Sequence, residues 1–276
     1  MTELLEVDRV EIQILVDNST DILSSTPSHV ESESAGLVRR GIRMMGGKCL
    51  CCAAHGLSCL LKVQAGGTTR TLLFDTGPEE FAFERNVTRL AADIGPVEEI
   101  VLSHGHWDHA GALLLALTMI RGRNGGKPVA FHGHPDMFRT RAVTLPNGGY
   151  RQMEDIPSVA DLTGFGAEVA LAREPQAVLG GMVHVSGEIP RVSGFERGYP
   201  GQVRRKENGI HGSQVSGACI ETVRLRVVRH GLRDDWIRRH PRISTGSLQI
   251  RQRCLQLRLL FTDLLKCPSS PSNRWT

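Results

Sequence analysis

Three histidines and one aspartate occupy four of six consecutive positions, in the order His104-x-His106-x-Asp108-His109. Neutral imidazole and carboxylate groups are the side chains that bind zinc, iron and manganese. His104 and His106 are two residues apart on an extended loop, so they point the same way and can share one metal ion. Asp108 and His109 follow as the chain turns, and they can reach a second ion. The alternative is a polar loop whose histidines cap a helix.

Two apolar segments flank this motif. Residues 98–103 predict a buried strand, and residues 111–117 predict the start of a buried helix. The histidines therefore lie on a loop that leaves a strand, where α/β proteins present their chemistry. Further strands are predicted at 10–17, 57–63, 71–74 and 127–132, and in a second sheet at 167–171 and 182–186. Helices are predicted at 78–94, where Phe81, Val87, Leu90 and Ala91 can share one face, and at 135–142.

The order of the motifs along the chain resembles the metallo-β-lactamase superfamily, whose signature is HxHxDH. The segments that carry the resemblance are ILVDN at 14–18, HGLS at 55–58, LFDTG at 73–77, SHGHWDHAGAL at 103–113, HPDMF at 134–138 and GEIPR at 187–191. The last two point more narrowly to proteins similar to 7,8-dihydropterin-6-methyl-4-(β-D-ribofuranosyl)aminobenzene-5′-phosphate synthase. The resemblance implies an α/β fold, the αββα sandwich, with a second half that is truncated or replaced.

The same resemblance implies a metal-dependent hydrolase or a related transferase. Its substrate would be small and anionic, bearing a pterin or a phosphate. Two divalent ions are expected, zinc first and manganese or iron as alternatives, and they would activate water. Asp108 would be catalytic as well as metal-binding, because it can orient the nucleophile. Asp75 would form hydrogen bonds to the loop of residues 103–113, called the metal loop below, and so hold its histidines in place. A turn-forming aspartate before Thr-Gly is also consistent with its position.

Four further residues are candidates for binding the substrate. His55 could approach the metals or the substrate, or it could be a surface or core histidine. His134 could line the pocket, or it could cap a helix. Glu188 and Arg191 could face the pocket, where an arginine suits phosphate or carboxylate, or they could form a structural salt bridge.

The sequence departs from the resembled family after residue 210. The histidine segments that the family places there, which supply a further ligand to each metal, are absent. Residues 1–210 are therefore predicted to form a partial metallo-β-lactamase-like domain, and residues 211–276 an arginine-rich segment of doubtful structure. A shifted reading frame near 208–215 would explain the change, and a true extension that binds an anionic partner is the alternative. Candidate replacement ligands are His184, His211, His230 and His240.

Composition narrows the class of protein. The 276 residues are 40% hydrophobic and 22% charged, as in ordinary globular domains. The net charge of +4 combines +8 in residues 211–276 with −4 elsewhere. Neither a signal peptide nor a membrane span is expected, which predicts a cytoplasmic protein without a membrane or nucleic-acid partner.

Cys49, Cys51 and Cys52 are interpreted as reduced thiols rather than as a metal cluster, because no matching CxxC pair completes a site. A catalytically impaired or non-catalytic family member with an incomplete metal site remains an open alternative.

Overall fold

The computed structural model describes residues 5–189, 201–204, 225–226, 228–229, 249–253 and 256–260. The strands are β1 (Glu6–Val7), β2 (Arg9–Val16), β3 (Ser58–Ala65), β4 (Thr68–Phe74), β5 (Val97–Val101), β6 (Val129–Gly133), β7 (Arg141–Thr144), β8 (Tyr150–Gln152), β9 (Ala167–Leu171), β10 (Gln176–Val178), β11 (Val183–Val185), β12 (Gln202–Arg204), β13 (Leu225–Arg226), β14 (Val228–Arg229), β15 (Gln249–Arg253) and β16 (Gln256–Leu260). The helices are α1 (Glu33–Arg39), α2 (Glu80–Arg89), α3 (Trp107–Ala110), α4 (Leu113–Arg123) and α5 (Val159–Gly164), with short 3₁₀ turns at Pro135–Phe138 and Leu179–Gly181. Most of the predicted 211–276 segment, with its three candidate histidines, lies outside the described residues.

A six-stranded sheet in the order β2-β3-β4-β5-β6-β9 forms the centre of the fold. The first three strands are antiparallel, and β4, β5, β6 and β9 run parallel. Gly66 and Gly67 both adopt positive φ, +54° and +81°, in the tight turn between β3 and β4, as a two-residue hairpin requires. The predicted α/β class is confirmed by this arrangement.

The hydrophobic core lies against this sheet. Leu60, Leu72, Ile100 and Phe131 come from β3, β4, β5 and β6 and are at most 1% exposed. α2 and α4 pack beside one another, and α4 buries Leu113, Ala116, Leu117 and Ile120. A strand-rich core of this kind holds the carboxyl ends of the parallel strands rigidly, and the metal-ligand motif follows one of those ends.

Two small antiparallel sheets accompany the central one, in the orders β12-β7-β8 and β10-β11-β13. β1 pairs with β14, and β15 with β16. The predicted strand at 182–186 corresponds to β11 in the second of these sheets. The predicted strand at 167–171 corresponds to β9, but its assignment to a second sheet was wrong. β9 pairs in parallel with β6 at the edge of the central sheet, after a crossover that includes α5.

The helix predicted over 135–142 is also wrong beyond its first turn. The 3₁₀ turn ends at Phe138, and β7 begins at Arg141. The Arg141 guanidinium donates hydrogen bonds to the carbonyl oxygens of Asp136, Met137 and Arg139, at 3.1, 2.9 and 2.8 Å. A side chain therefore satisfies acceptors that a continuing helix would have paired with backbone N–H groups. No helix in the described part of the chain is long and apolar enough to cross a membrane.

Candidate metal centre

The carboxyl ends of β4, β5 and β6 bring the chemistry-bearing residues to one edge of the central sheet. Phe74 pairs with Val101, and Val101 with His132, so the segments that follow these strands lie side by side. They carry Asp75, the 103–113 loop and His134 respectively. In open α/β sheets this edge is where ligands bind.

The loop after β5 gathers three potential ligands. One ligand atom each from His104, His106 and Asp108 lies within 4.8 Å of the other two. The hydroxyl oxygen of Ser103 lies 2.9 Å from Nδ1 of His104, which leaves Nε2 of that ring for an ion. Two imidazoles and a carboxylate at this spacing fit a divalent ion that takes nitrogen and oxygen donors.

His109 lies beside this group and is held from behind. Its Nδ1 is 2.7 Å from Oδ2 of Asp75, and its Nε2 is 3.4 Å from Oδ2 of Asp108. From the sequence, Asp108 and His109 were expected at one metal ion, and His104 and His106 at another. In the structure the Asp108 carboxylate lies close to both sets, so it can bridge them.

Asp75 is fully buried and accepts three short hydrogen bonds. Its Oδ1 accepts from the backbone N–H of Ser103, and its Oδ2 accepts from the Ser103 hydroxyl and from His109, all at 2.7 Å. The backbone φ of Asp75 is +56°, a region that non-glycine residues rarely occupy. Strain of this kind persists only where the surroundings fix the residue, and here three contacts to the metal loop do so.

The metal loop is also clamped through its backbone. Thr76 donates its N–H to the carbonyl of His109 at 2.7 Å, and Gly111 donates to the carbonyl of Gly77 at 2.9 Å. Gly105 lies so close to the carbonyl of Met137 that an added Cβ would overlap it. The glycine between the two histidines is therefore a packing requirement as well as a spacer.

Burial and neighbouring charges perturb the protonation of the motif. Burial, with the Arg141 charge, lowers the pKa of His106 to about 4, and burial together with His109, His106 and Arg141 lowers the pKa of His104 well below its usual value. Burial also acts to lower the pKa of His109, but the Asp75 and Asp108 carboxylates outweigh it and raise that pKa to about 9. Two rings are thus neutral at pH 7, as metal ligands must be, whereas His109 would release a proton on binding an ion.

The predicted substrate-binding residues differ in how exposed they are and in which groups they contact. His55 is exposed, and its Nε2 lies 3.8 Å from Oδ2 of Asp108. The centre of its ring is 5.9 Å from that of Trp107, with the two planes tilted by 35°. His134 is buried and caps the 3₁₀ turn, since its Nδ1 accepts from the N–H of Asp136 at 3.1 Å. Its Nε2 lies 3.3 Å from Oε2 of Glu188.

Glu188 also forms an ion pair with Arg173 at 3.2 Å. Arg173 binds Asp136 as well, at 3.0 Å, so this carboxylate is part of an ionic network beside the 3₁₀ turn. Arg191 lies outside the described residues. His184 lies in β11 opposite Arg226 of β13. Within the described part of the chain it does not belong to the group of potential metal ligands formed by His104, His106 and Asp108.

Sequence reasoning missed Arg141 and Gln202. Arg141 is 9% exposed, and it donates to the carbonyl of Gly105, between the two histidines, at 2.8 Å. The side-chain amide of Gln202 lies 3.4 Å from Nε2 of His106. Neither residue belongs to a recognisable motif, because each reaches the loop only through the β12-β7-β8 sheet.

Residues 58–231 match the family model described as the metallo-beta-lactamase superfamily. This match covers more than half of the chain and includes the whole HxHxDH motif. The chain belongs to the metallo-beta-lactamase superfamily. The predicted superfamily is thereby confirmed.

Among curated proteins, the chain is similar to 7,8-dihydropterin-6-methyl-4-(beta-D-ribofuranosyl)-aminobenzene-5'-phosphate synthase of Methanocaldococcus jannaschii. The two are 28% identical over 135 residues, which is 49% of this chain and 44% of the synthase. The chain therefore spans less than half the length of that relative. The similarity supports the predicted branch of the superfamily.

Solved structures of the superfamily also match. The Rm3 metallo-beta-lactamase is 16% identical, with a TM-score of 0.34 over 66% of this chain and 54% of its own. A long form of RNase Z from yeast is 22% identical, with a TM-score of 0.24 over 28% of this chain and 12% of its own.

Proposed function

We propose that this metallo-beta-lactamase superfamily protein is a metal-dependent hydrolase, or a related transferase, that acts on a small anionic substrate. The observation that carries the proposal is the group of His104, His106 and Asp108, whose ligand atoms lie within 4.8 Å of one another. Asp75 supports this group through Ser103 and His109. A helix-capping loop would need neither the buried Asp75 carboxylate nor two neutral imidazoles side by side.

A divalent ion bound there would act as a Lewis acid and would lower the pKa of a water molecule. The protein's own residues would hold and orient the reactants. Ser103 fixes the ring of His104, and Asp75 fixes that of His109. Asp108 is the proposed catalytic residue, because its carboxylate lies beside both sets of ligands and can accept a proton from a nucleophile. Zinc suits this mixture of imidazole and carboxylate donors, and manganese or iron would be tolerated.

The proposed substrate bears a pterin or a phosphate. The similarity to the Methanocaldococcus jannaschii synthase, whose name includes both a dihydropterin and a phosphate, supports this choice. His55 is the best placed of the proposed substrate-binding residues, because its ring is exposed and lies 3.8 Å from Asp108. His134 and Glu188 bind one another at the same sheet edge, so they would shape the site as a pair. Arg191 is retained as a proposed phosphate contact, since a guanidinium binds phosphate bidentately.

Metal content and turnover test the proposal together. Purified protein should hold one or two divalent ions per chain by elemental mass spectrometry, and it should hydrolyse an activated phosphodiester or ester. His106→Ala should lose both bound metal and turnover, whereas His29→Ala, at an exposed loop residue, should lose neither. Less than one ion per chain in the wild-type protein, with no turnover, would instead favour the catalytically impaired family member.

The basic segment at 211–276 supports a second proposal, an anionic partner. Its +8 charge comes from eleven arginines and one lysine against four acidic residues. Binding through such charges should weaken steeply with added salt. A titration of heparin or of a polyphosphate at two salt concentrations would test this; binding that is independent of salt would contradict it. A cytoplasmic location and the two-domain division at residue 210 also remain proposals.

A further inference from the structure

Gln202 brings a polar side chain to the metal loop from outside the sequence motif. It is the first residue of β12, which pairs with β7 through Gln202 and Val143. Its side-chain nitrogen lies 3.4 Å from Nε2 of His106. A strand remote in sequence thus places an amide against one of the two paired histidines.

The amide is incompletely satisfied where it lies. Its Oε1 is buried and finds no hydrogen-bond donor among the described residues. Its nitrogen has a second neighbour, the sulfur of Met153 at 4.0 Å, and a thioether is a weak acceptor. A buried amide oxygen without a partner costs on the order of 1–3 kcal/mol, so the orientation in which the amide lies is unfavourable for its oxygen.

The separation from His106 is the one that two ligands of a single ion have. Zinc–nitrogen and zinc–oxygen bonds of about 2.0–2.1 Å in tetrahedral geometry place neighbouring ligand atoms about 3.3–3.4 Å apart. The two ends of an amide have the same shape, so its orientation is decided by the partners it meets. A half-turn of the amide puts the oxygen, a competent metal donor, at this 3.4 Å position.

We propose that Gln202 is a metal ligand, its amide oxygen joining His104 and His106 at the ion that these histidines hold. This inference rests on the proposed metal-dependent function and deepens it. The site is then built from two sheets, because the histidines follow β5 of the central sheet and the amide comes from β12. Only a folded chain with β12 docked on β7 would hold the ion fully.

Cobalt(II) provides the test, because its visible absorption reports the number and type of its ligands. Wild-type protein, Gln202→Leu, Gln202→Glu and a control, Gln152→Leu, would each be stripped of metal and titrated with cobalt. Gln152 is an exposed glutamine in β8 of the same three-stranded sheet, so the control makes the same chemical change away from the loop. Circular dichroism would establish that each variant is folded.

Gln202→Leu should bind cobalt at least about tenfold more weakly and with a changed absorption spectrum. Gln202→Glu keeps an oxygen in place, so it should bind at least as tightly as wild type, with shifted bands. The control should match wild type in both respects. Wild-type spectra in both Gln202 variants would overturn the assignment of Gln202 alone. If Gln202→Leu fails to fold, an unshifted spectrum in Gln202→Glu overturns it. A wild-type protein that takes up no cobalt overturns the metal-dependent function as well.

Discussion

Asp75→Asn is the most informative single substitution for the metal loop. The change removes one charge and almost no volume from a fully buried side chain. The asparagine oxygen can still accept from the Ser103 N–H, and its NH₂ group then faces the Ser103 hydroxyl and Nδ1 of His109. His109 must therefore carry its proton on Nε2, the nitrogen directed at Asp108, and that nitrogen no longer has a lone pair for an ion.

The magnitude follows from the three bonds of 2.7 Å that Asp75 accepts. Hydrogen bonds to a charged group contribute about 1.5–3 kcal/mol each, and those to a neutral group about 0.5–1.5 kcal/mol. If the three bonds survive in the weaker form, each loses about 1–1.5 kcal/mol, and the metal-free protein should lose about 3–4.5 kcal/mol of its free energy of unfolding. Metal affinity should fall about 10–100-fold, as it does when partners behind metal ligands are changed.

Urea denaturation of the metal-free protein measures the stability loss, and competition with a chromophoric chelator measures the metal affinity. Asp93→Asn is the matched control, because Asp93 is exposed and the substitution is chemically identical. The reasoning is refuted if Asp75→Asn and Asp93→Asn unfold at the same urea concentration and bind metal equally well.

Three further substitutions or conditions test neighbouring features. Gly105→Ala should destabilise the protein by about 3 kcal/mol or more, since the new Cβ overlaps the carbonyl of Met137; an unchanged thermal midpoint would contradict this packing. Arg141→Met should cost about 2–5 kcal/mol because it leaves buried carbonyls unpaired, and Arg141→Lys should recover only part of the loss in urea titrations; full recovery by lysine would show that the guanidinium fork is dispensable. The metal-free protein should be most stable near pH 6.5. It should weaken toward pH 4, because unfolding frees His106 to take up a proton, and toward pH 9, because His109 then loses the proton that the folded state favours. Urea titrations at pH 4.5, 6.5 and 9 would measure this, and the alkaline loss should disappear in His109→Gln.

The features that could be predicted from the sequence are those encoded within a few residues. The HxHxDH motif and the strand before it are local, and Asp75 is recognisable because it ends a strand next to Thr-Gly. The resemblance supplied the superfamily, which the family match confirms. The roles of the individual residues at the metal remain predictions.

The features that escaped prediction depend on contacts between distant segments. Gln202 and Arg141 reach the loop through a small sheet whose strands β7 and β12 are about sixty residues apart in sequence. The helix predicted over 135–142 failed because Arg141 takes the carbonyls that a helix would use. Phe81 was expected to share a helix face with Val87, yet it is 62% exposed and Phe83 is buried instead, because Phe83 precedes Val87 by four residues, close to one helical turn, whereas Phe81 precedes it by six.

The packing of Gly105 against Met137 has a consequence for how this site could diversify. The HxHxDH pattern leaves two positions unspecified, and in this chain they are not equally free. Gly105 packs so closely against the backbone of Met137 that no side chain fits there. Trp107 is half-buried, with its ring beside that of His55. Among homologues that keep the same loop packing, residue 105 should stay glycine and residue 107 should vary, together with residue 55, as the substrate changes.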